Sequence, residues 1–316
     1  MFKNYLKKTT IMEHIKKYIK ACRPVPSSLV VFPISMAIAF GYSYCSSTSN
    51  NHCEEFNIPL TIICSIVSLL LFQYGFIINS VIDYLTGIDD DQTFDRTLFD
   101  SNNSLGDLYK YCFGIISIVF LSCVFPIYWF SKSIESYWLL IKLISFEFFF
   151  SSTYTFSKYI GLGGFFVAFC YCIPVSYIYL ALTNQYISIF EYSHPLMICS
   201  LIYIFYGHTA IVSNCIRDHE TDEAAGIYTI TRILGLKQSI LFLLSLYLSV
   251  IILQFYLMLT YGNYFFLLVL ITFSMNLISL YKKYLEKGRP IINWGNGIAF
   301  LVPFTLFNLA VLLGTW

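Results

Sequence analysis

Apolar residues gather into nine long runs, at about residues 27–45, 58–81, 109–130, 136–155, 162–182, 194–213, 239–260, 263–281 and 295–315, with polar connections between them. Crossing a hydrocarbon core of roughly 30 Å takes about 20 helical residues, so each run predicts one membrane-spanning helix. A stretch such as "SILFLLSLYLSVIILQFYLML" has none of the alternation that marks a transmembrane strand. The expected fold is therefore an all-α integral membrane protein with nine transmembrane helices. Residues 1–26 form a basic arm and residues 27–316 a single membrane domain, with no soluble catalytic module.

Composition agrees with that pattern. The chain is 57% hydrophobic, 19% aromatic and 12% charged, whereas a soluble domain is about 25% charged. Charge adds an orientation. Of the 19 lysines and arginines, all but Lys132 and Lys142 fall in the N-terminal arm or in alternate connections, and basic residues stay on the cytoplasmic side. The N-terminus is thus expected in the cytoplasm, in an endoplasmic reticulum, Golgi or mitochondrial membrane if the source is eukaryotic. Lysines spread through residues 3–20 leave no apolar signal core, and "IMEHIKKYIKACRP" reads as a helix on the membrane surface. The ten cysteines form no CxxC pair and read as small apolar fillers. Cys45 and Cys53 lie on the first non-cytoplasmic loop, where a disulfide between them is open. Nucleic acid is not an expected partner.

The acidic residues are sorted on the same axis. Residues 83–107 hold Asp83, Asp89, Asp90, Asp91, Asp95, Asp100 and Asp107, and residues 218–223 hold Asp218, Glu220, Asp222 and Glu223. Both clusters lie on the basic side. Asn214, Asp218 and Asp222 are spaced four apart, which on a helix places all three on one face. Asn79 and Asp83 repeat that spacing, and Gly87 allows a turn that brings Asp89 back toward them. Carboxylates on one face repel each other unless a cation lies between them. Carboxylate and amide oxygens suit a hard ion, and Mg²⁺ in particular completes its shell with water and substrate phosphates. Two such clusters facing one cavity would hold a diphosphate.

"NSVID…GIDD…DRTL" and "SNCIRDHETDEAAGIYT…LG" resemble the two aspartate-rich motifs of the UbiA superfamily of intramembrane prenyltransferases, the nearest branch being the quinone-forming one. The likeness extends to "ACRP" at 21–24 and "YTFSKYIGLGGFF" at 154–166 and covers roughly residues 20 to 316. It implies a nine-helix bundle around a central cavity with a cytoplasmic-side cap. It also implies Mg²⁺- or Mn²⁺-dependent transfer of a polyprenyl group from an allylic diphosphate to an aromatic, naphthoquinol-type acceptor, in menaquinone or vitamin K-type quinone biosynthesis. By position, Asn79, Asp83 and Asp89 match the first metal motif, and Asn214, Asp218 and Asp222 the second. Asn79, Asn214, Arg96, Lys158 and Arg217 match diphosphate-binding positions. Asp83, Asp218, Asp222 and Tyr154 are the catalytic candidates, Tyr154 as a cavity aromatic able to face an allylic cation.

Some positions depart from the family pattern. Thr86 stands where the quinone branch often has Lys, Asp90–Asp91 replace a frequently basic stretch, Phe156–Ser157 replace a common Gly–Gly, and Cys215 replaces a second Asn. These changes bear on the acceptor pocket, because every motif Asn and Asp is present. Other outcomes for the same chemistry are 4-hydroxybenzoate prenylation or cyclisation of the prenyl diphosphate. The reading outside enzymology is a transporter or a prenyl-lipid-binding scaffold. Lys142 and Glu147 are ionisable residues within the fourth apolar run, read as snorkelling or internally hydrogen-bonded, with Glu147 the better of the two for a cavity role. His208 reads as a core histidine, and His219 lies off the aspartate face. On geometry, Arg217 projects about 100° from the Asn214–Asp218–Asp222 row, so it is not simply the salt-bridge partner of that row and is placed at the cavity rim, the alternative being a bridge between acidic residues across the cap.

Overall fold

The computed structural model describes residues 11–22, 24–47, 56–87, 103–188, 191, 194–287 and 298–314. A surface helix α1 (Ile11–Ala21) leads into α2 (Pro24–Ser47) and α3 (Ile58–Leu85). Next come α4 (Leu105–Phe130), with a π-helical turn at Cys123–Ile127, then α5 (Ile134–Lys158), α6 (Gly163–Thr183) and α7 (Pro195–Arg217). Two short helices, α8 (His219–Ala224) and α9 (Ile230–Leu234), precede α10 (Leu236–Tyr261), α11 (Phe266–Lys287) and α12 (Ile298–Leu313). A helix thus lies over each of the nine apolar runs. Among the described residues, six helices (α3 to α7 and α10) are long and apolar enough to cross a membrane, and α2 and α11 contribute shorter apolar stretches, Val30–Ser46 and Phe266–Met275.

Local signals fix the helix ends. The Asn57 side chain accepts from the Leu60 amide at the start of α3, supplying one of the orphan donors of a first turn. Ser104 and Asp107 form a reciprocal capping box on α4, each side chain accepting from the other's amide at 3.1 Å. α3 ends at Thr86, and Gly87 follows at φ +74°, a left-handed conformation that favours glycine.

α6 sits at the centre of the packing. It lies against α5, α7, α2 and α3, while α7 meets α10, α10 meets α11, α11 meets α12, and α12 returns to α2. Large aromatic rings fill the seams of this closed circuit. Tyr206 of α7 meets Tyr247 of α10 and Phe273 of α11 edge-to-face, at centroid distances of 5.9 and 4.9 Å. Asn308 of α12 accepts from the Tyr203 hydroxyl at 2.6 Å and donates to Ser35 Oγ at 2.6 Å, joining α7, α12 and α2. Polar groups paired in this way hold helices together where both the interior and the solvent are apolar.

α6 and α7 approach closely through a glycine on each. A Cβ on Gly164 would stand 2.1 Å from His208 Nε2, and one on Gly207 would stand 2.5 Å from the Tyr171 ring. Neither ring is free to swing away: His208 is wedged between Phe165 and Phe242 at 5.7 and 5.6 Å, and Tyr171 is buried. His208 is therefore a packing histidine, as its sequence position suggested. Gly207→Ala should destabilise the bundle by about 1–3 kcal/mol through overpacking, read as a lower thermal midpoint in detergent; an unchanged midpoint would show that the interface is loose.

Lys142 is exposed. Glu147 is fully buried, and Ser68 Oγ donates to one of its oxygens at 3.0 Å and the Tyr177 hydroxyl to the other at 2.6 Å. The cause is packing: Ser68 on α3 and Tyr177 on α6 close over it from both sides. Cys45 is disulfide-bonded, its proposed partner Cys53 lying outside the described residues, and the other described cysteines are not disulfide-bonded. On α1, Tyr18 donates to Gln73 of α3 at 2.7 Å, while Met12, Ile15 and Ile19 remain exposed beside Lys16 and Lys20. That division is the one expected of a helix lying at a bilayer surface.

Candidate functional site

Asn79 and Asp83 stand one turn apart in the last turns of α3, both buried. Asn79 Nδ2 donates to Asp83 Oδ2 at 2.8 Å, and Asn79 Oδ1 in turn accepts from Thr155 Oγ1 at 3.0 Å. The C-terminal end of α5 completes the arrangement. Lys158 Nζ lies 3.4 Å from Asp83 Oδ2, and the Tyr159 hydroxyl donates to Asp83 Oδ1 at 2.5 Å. Tyr154, one turn before Lys158, is half-buried. Three residues of "YTFSKY" thus bear on the first motif, and two of them, Thr155 and Tyr159, were not singled out from the sequence. The available signal was their own four-residue spacing, which repeats that of Tyr154 and Lys158.

The second motif crosses the end of α7. Asp218 is the C-cap, at φ −93° and ψ 11°. Its amide still donates to the Asn214 carbonyl at 2.9 Å, and the Asp222 amide donates to the Asp218 carbonyl at 2.8 Å. The four-residue register therefore carries across the break between α7 and α8. Arg217 differs from expectation: its Nε and a terminal nitrogen donate to the two oxygens of Asp218, both at 2.6 Å. The angular argument assumed a helix continuing through residue 218. At the cap the backbone departs from helical geometry, and the long guanidinium arm folds onto its neighbour as a planar fork matching a carboxylate.

Lys158 connects the two motifs. Its ammonium is bonded to Asp83 and also feels the charge of Asp222. From the backbone, the Tyr159 carbonyl accepts from the Tyr228 amide at 3.2 Å, pinning the α5–α6 turn to the segment after α8. Burial pushes the Asp222 carboxyl up to about 6; Lys158 and His219 oppose the rise, and Asp218 and Asp83 add to it. Lys158 is thus ion-paired with Asp83 while the charge of Asp222 acts on it from the second motif. The oxygen donors of the two motifs are of the type that suits a hard divalent cation. Among the described residues, no three His, Cys, Asp or Glu side chains form a group that could hold a metal. Asp89 and Arg96 lie outside the described residues, and Asn214 is half-buried.

If Asp222 is a metal ligand, as its motif position implies, a proton and a cation compete for it. Its ionised fraction falls about fourfold between pH 7.5 and 5.5 for a group near 6. Half-saturating Mg²⁺ should therefore rise by about that factor over the same range, read by metal titration at each pH; a flat profile would remove Asp222 from the metal ligands.

The UbiA prenyltransferase family profile matches residues 30–291. The chain belongs to the UbiA prenyltransferase family. UbiA prenyltransferase domain-containing protein 1 of Xenopus tropicalis is 25% identical over 244 residues, 74% of this chain and 64% of that relative, so the match spans just under two thirds of its length. A UbiA homologue from Archaeoglobus fulgidus bound to GPP and Mg²⁺ superposes with a TM-score of 0.64 at 15% identity, covering 94% of this chain and 99% of that one. The apo UbiA homologue from Aeropyrum pernix K1 gives a TM-score of 0.65 at 16% identity, covering 90% and 98%. These solved structures establish that this UbiA-family chain has the fold of the family.

Proposed function

We propose that this chain transfers a polyprenyl group from an allylic prenyl diphosphate to an aromatic, naphthoquinol-type acceptor inside the bilayer. The observation that carries the reading is the ion pair of Lys158 with Asp83 at 3.4 Å, and support for reading the two motifs as one site comes from the charge of Asp222 acting on the same ammonium. Support for the donor comes from the similar fold solved with GPP and Mg²⁺. The acceptor class rests on the motif resemblance to the quinone-forming branch.

Asn79, Asp83, Asp89, Asn214, Asp218 and Asp222 are the residues that would hold Mg²⁺ or Mn²⁺. When bound, the metal neutralises charge growing on the diphosphate as the allylic C–O bond ionises. Lys158, Arg217 and Arg96 bind diphosphate oxygens, Arg217 by exchanging its Asp218 fork for the substrate. Tyr154 presents a ring face to the allylic cation, and the surrounding apolar helices exclude water that would otherwise capture it. The acceptor ring carbon then forms the new C–C bond and loses its proton.

All nine apolar helices span the membrane in this reading, with the motifs and the cap on the cytoplasmic side. The basic residues support that orientation, and so does the Cys45 disulfide at the far end of α2, since such bonds persist on oxidising faces. Purified chain given labelled geranylgeranyl diphosphate and, separately, a naphthoquinol or 4-hydroxybenzoate should yield the prenylated naphthoquinol, identified by mass. A prenylated hydroxybenzoate, or a cyclised product without acceptor, would overturn the acceptor assignment. Chelation by EDTA should abolish product and Mg²⁺ or Mn²⁺ restore it; full turnover in chelator would remove the metal reading.

A further inference from the structure

Helix α9 turns its polar side chains inward. Thr231 is fully buried and Thr229, its N-cap, is 1% exposed, while Ile233 and Leu234 stand 57% and 40% exposed. A short helix bathed in water would gain from the reverse arrangement, with apolar side chains covered and hydroxyls hydrated. Tyr228, just ahead of it, is exposed as well, and so are Ile160 and Leu162 in the turn between α5 and α6. The two segments are in contact. Gly161 leaves the space that Ile233 Cδ1 fills, and the Tyr228 amide donates to the Tyr159 carbonyl at 3.2 Å. These side chains make one outward apolar patch on the cap.

Its place in the fold decides what covers it. Only residues 159–162 join α5 to α6, two packed helices of membrane-spanning length, and the Leu162 amide folds back onto the Ser157 carbonyl at 2.8 Å. Axes about 8–10 Å apart use up most of the roughly 14 Å that four residues can reach, so Ile160 and Leu162 cannot rise clear of the bilayer boundary. α9 arrives at the same level. Gly235 alone separates it from α10, and a φ of +81° there bends the chain, so α9 does not continue the α10 axis. Further into the spans the exposed side chains stay apolar, with Phe165 on α6 and Leu241 on α10. Two cations border the patch: the Arg232 guanidinium lies 4.2 Å from the Tyr228 ring centroid, and Lys237 is exposed. An exposed tyrosine flanked by basic groups suits the level of lipid headgroups.

We propose that this patch is a lipid anchor for the cap: Tyr228, Ile233 and Leu234, with Ile160 and Leu162, enter the headgroup–acyl boundary of the leaflet on the motif side, and Arg232 and Lys237 meet lipid phosphates. The occupant is phospholipid, because the patch continues the lipid-facing surface of α6 and α10 and its charges complement a phosphate layer. The anchor holds the segment after α8 against the α5–α6 turn, keeping the Tyr228–Tyr159 backbone bond closed. It requires that α5, α6 and α10 span the bilayer and is independent of the reaction proposed above.

The test places the full-length chain, one copy per nanodisc, in phosphatidylcholine doped with a phospholipid that carries a diazirine near the carboxyl end of one acyl chain. After irradiation, peptide mass spectrometry locates the adducts. Residues 228–234 and 160–162 should be labelled as strongly as the α10 segment around Leu241, and α8, with Glu220 and Glu223 exposed, only by a water-soluble diazirine. Labelling of the patch by the water-soluble reagent alone overturns the proposal, and so does protection from both reagents, which would mean that protein covers it. Leu234→Asp should lower the lipid adduct on residues 228–234 about tenfold, through lost apolar burial, and speed hydrogen exchange of the Tyr228 amide, whereas Leu234→Met should change neither. Leu234→Ser serves if the Asp variant does not insert. An adduct yield that survives both polar variants would show mere proximity to the bilayer, and lost adduct with unchanged exchange would show contact that holds nothing; either result overturns the anchor.

Discussion

Asp83→Ala should lower prenyl-transfer turnover by about two to three orders of magnitude, the scale of losing one charge-stabilising group at a reacting centre. The residue is 2% exposed and receives Asn79, Lys158 and Tyr159, so its removal takes one ligand from the proposed metal site and the ion-pair partner from Lys158. The protein should remain inserted and monodisperse in detergent, because Asn79 keeps its bond from Thr155. Asp83→Asn preserves the shape and loses the charge, and it should be nearly as inactive. Asp107→Ala is the control. Asp107 caps α4, so its loss should cost about 1 kcal/mol of stability and little activity. Equal inactivation by Asp107→Ala and Asp83→Ala would mean that the acidic residues act through folding, and the metal reading would go with it.

Glu147→Ala should produce the largest loss of stability, about 3–5 kcal/mol. The substitution leaves the Tyr177 and Ser68 hydroxyls without their acceptor in an apolar interior, at about 1–3 kcal/mol each, and opens a cavity between α3, α5 and α6. Glu147→Gln keeps the volume and one acceptor oxygen, so it should cost far less. Thermal unfolding followed by size exclusion in detergent separates the two variants. Eight residues, roughly 12 Å of helix, separate Glu147 from Thr155, so at permissive temperature both variants should retain wild-type turnover per folded molecule. A thermal midpoint unchanged by Ala would show that the carboxyl is not the keystone of these three helices.

The apolar runs are decided by the sequence because the bilayer is the solvent: no helix crosses it without about 20 apolar residues, whatever packs beside it. The same holds for the split of Lys and Arg between alternate connections, and for the Asn79–Asp83 spacing, which the helical geometry of α3 turns into a shared face. Gly87 belongs here too, since its positive φ is a property of the residue.

What the sequence leaves open is which faces meet. Lys158 lies 75 positions from Asp83, and only the packing of α5 on α3 brings it there, with the α7–α8 cap adding Asp222. Tyr159 became visible for the same reason, since one tyrosine among 26 carries no mark of its neighbour in the chain. For Glu147 the sequence allowed an internal hydrogen bond without naming its partners, and only the packing supplies Ser68 and Tyr177. The Arg217–Asp218 pair was the less favoured reading because a helical wheel presumes a helix, and the backbone leaves helical geometry at Asp218. Spacing fixes contacts within one element, where covalent geometry sets the distances; contacts between elements are fixed by side-chain volumes and hydrogen-bond partners drawn from the whole bundle, which exist only once it has folded.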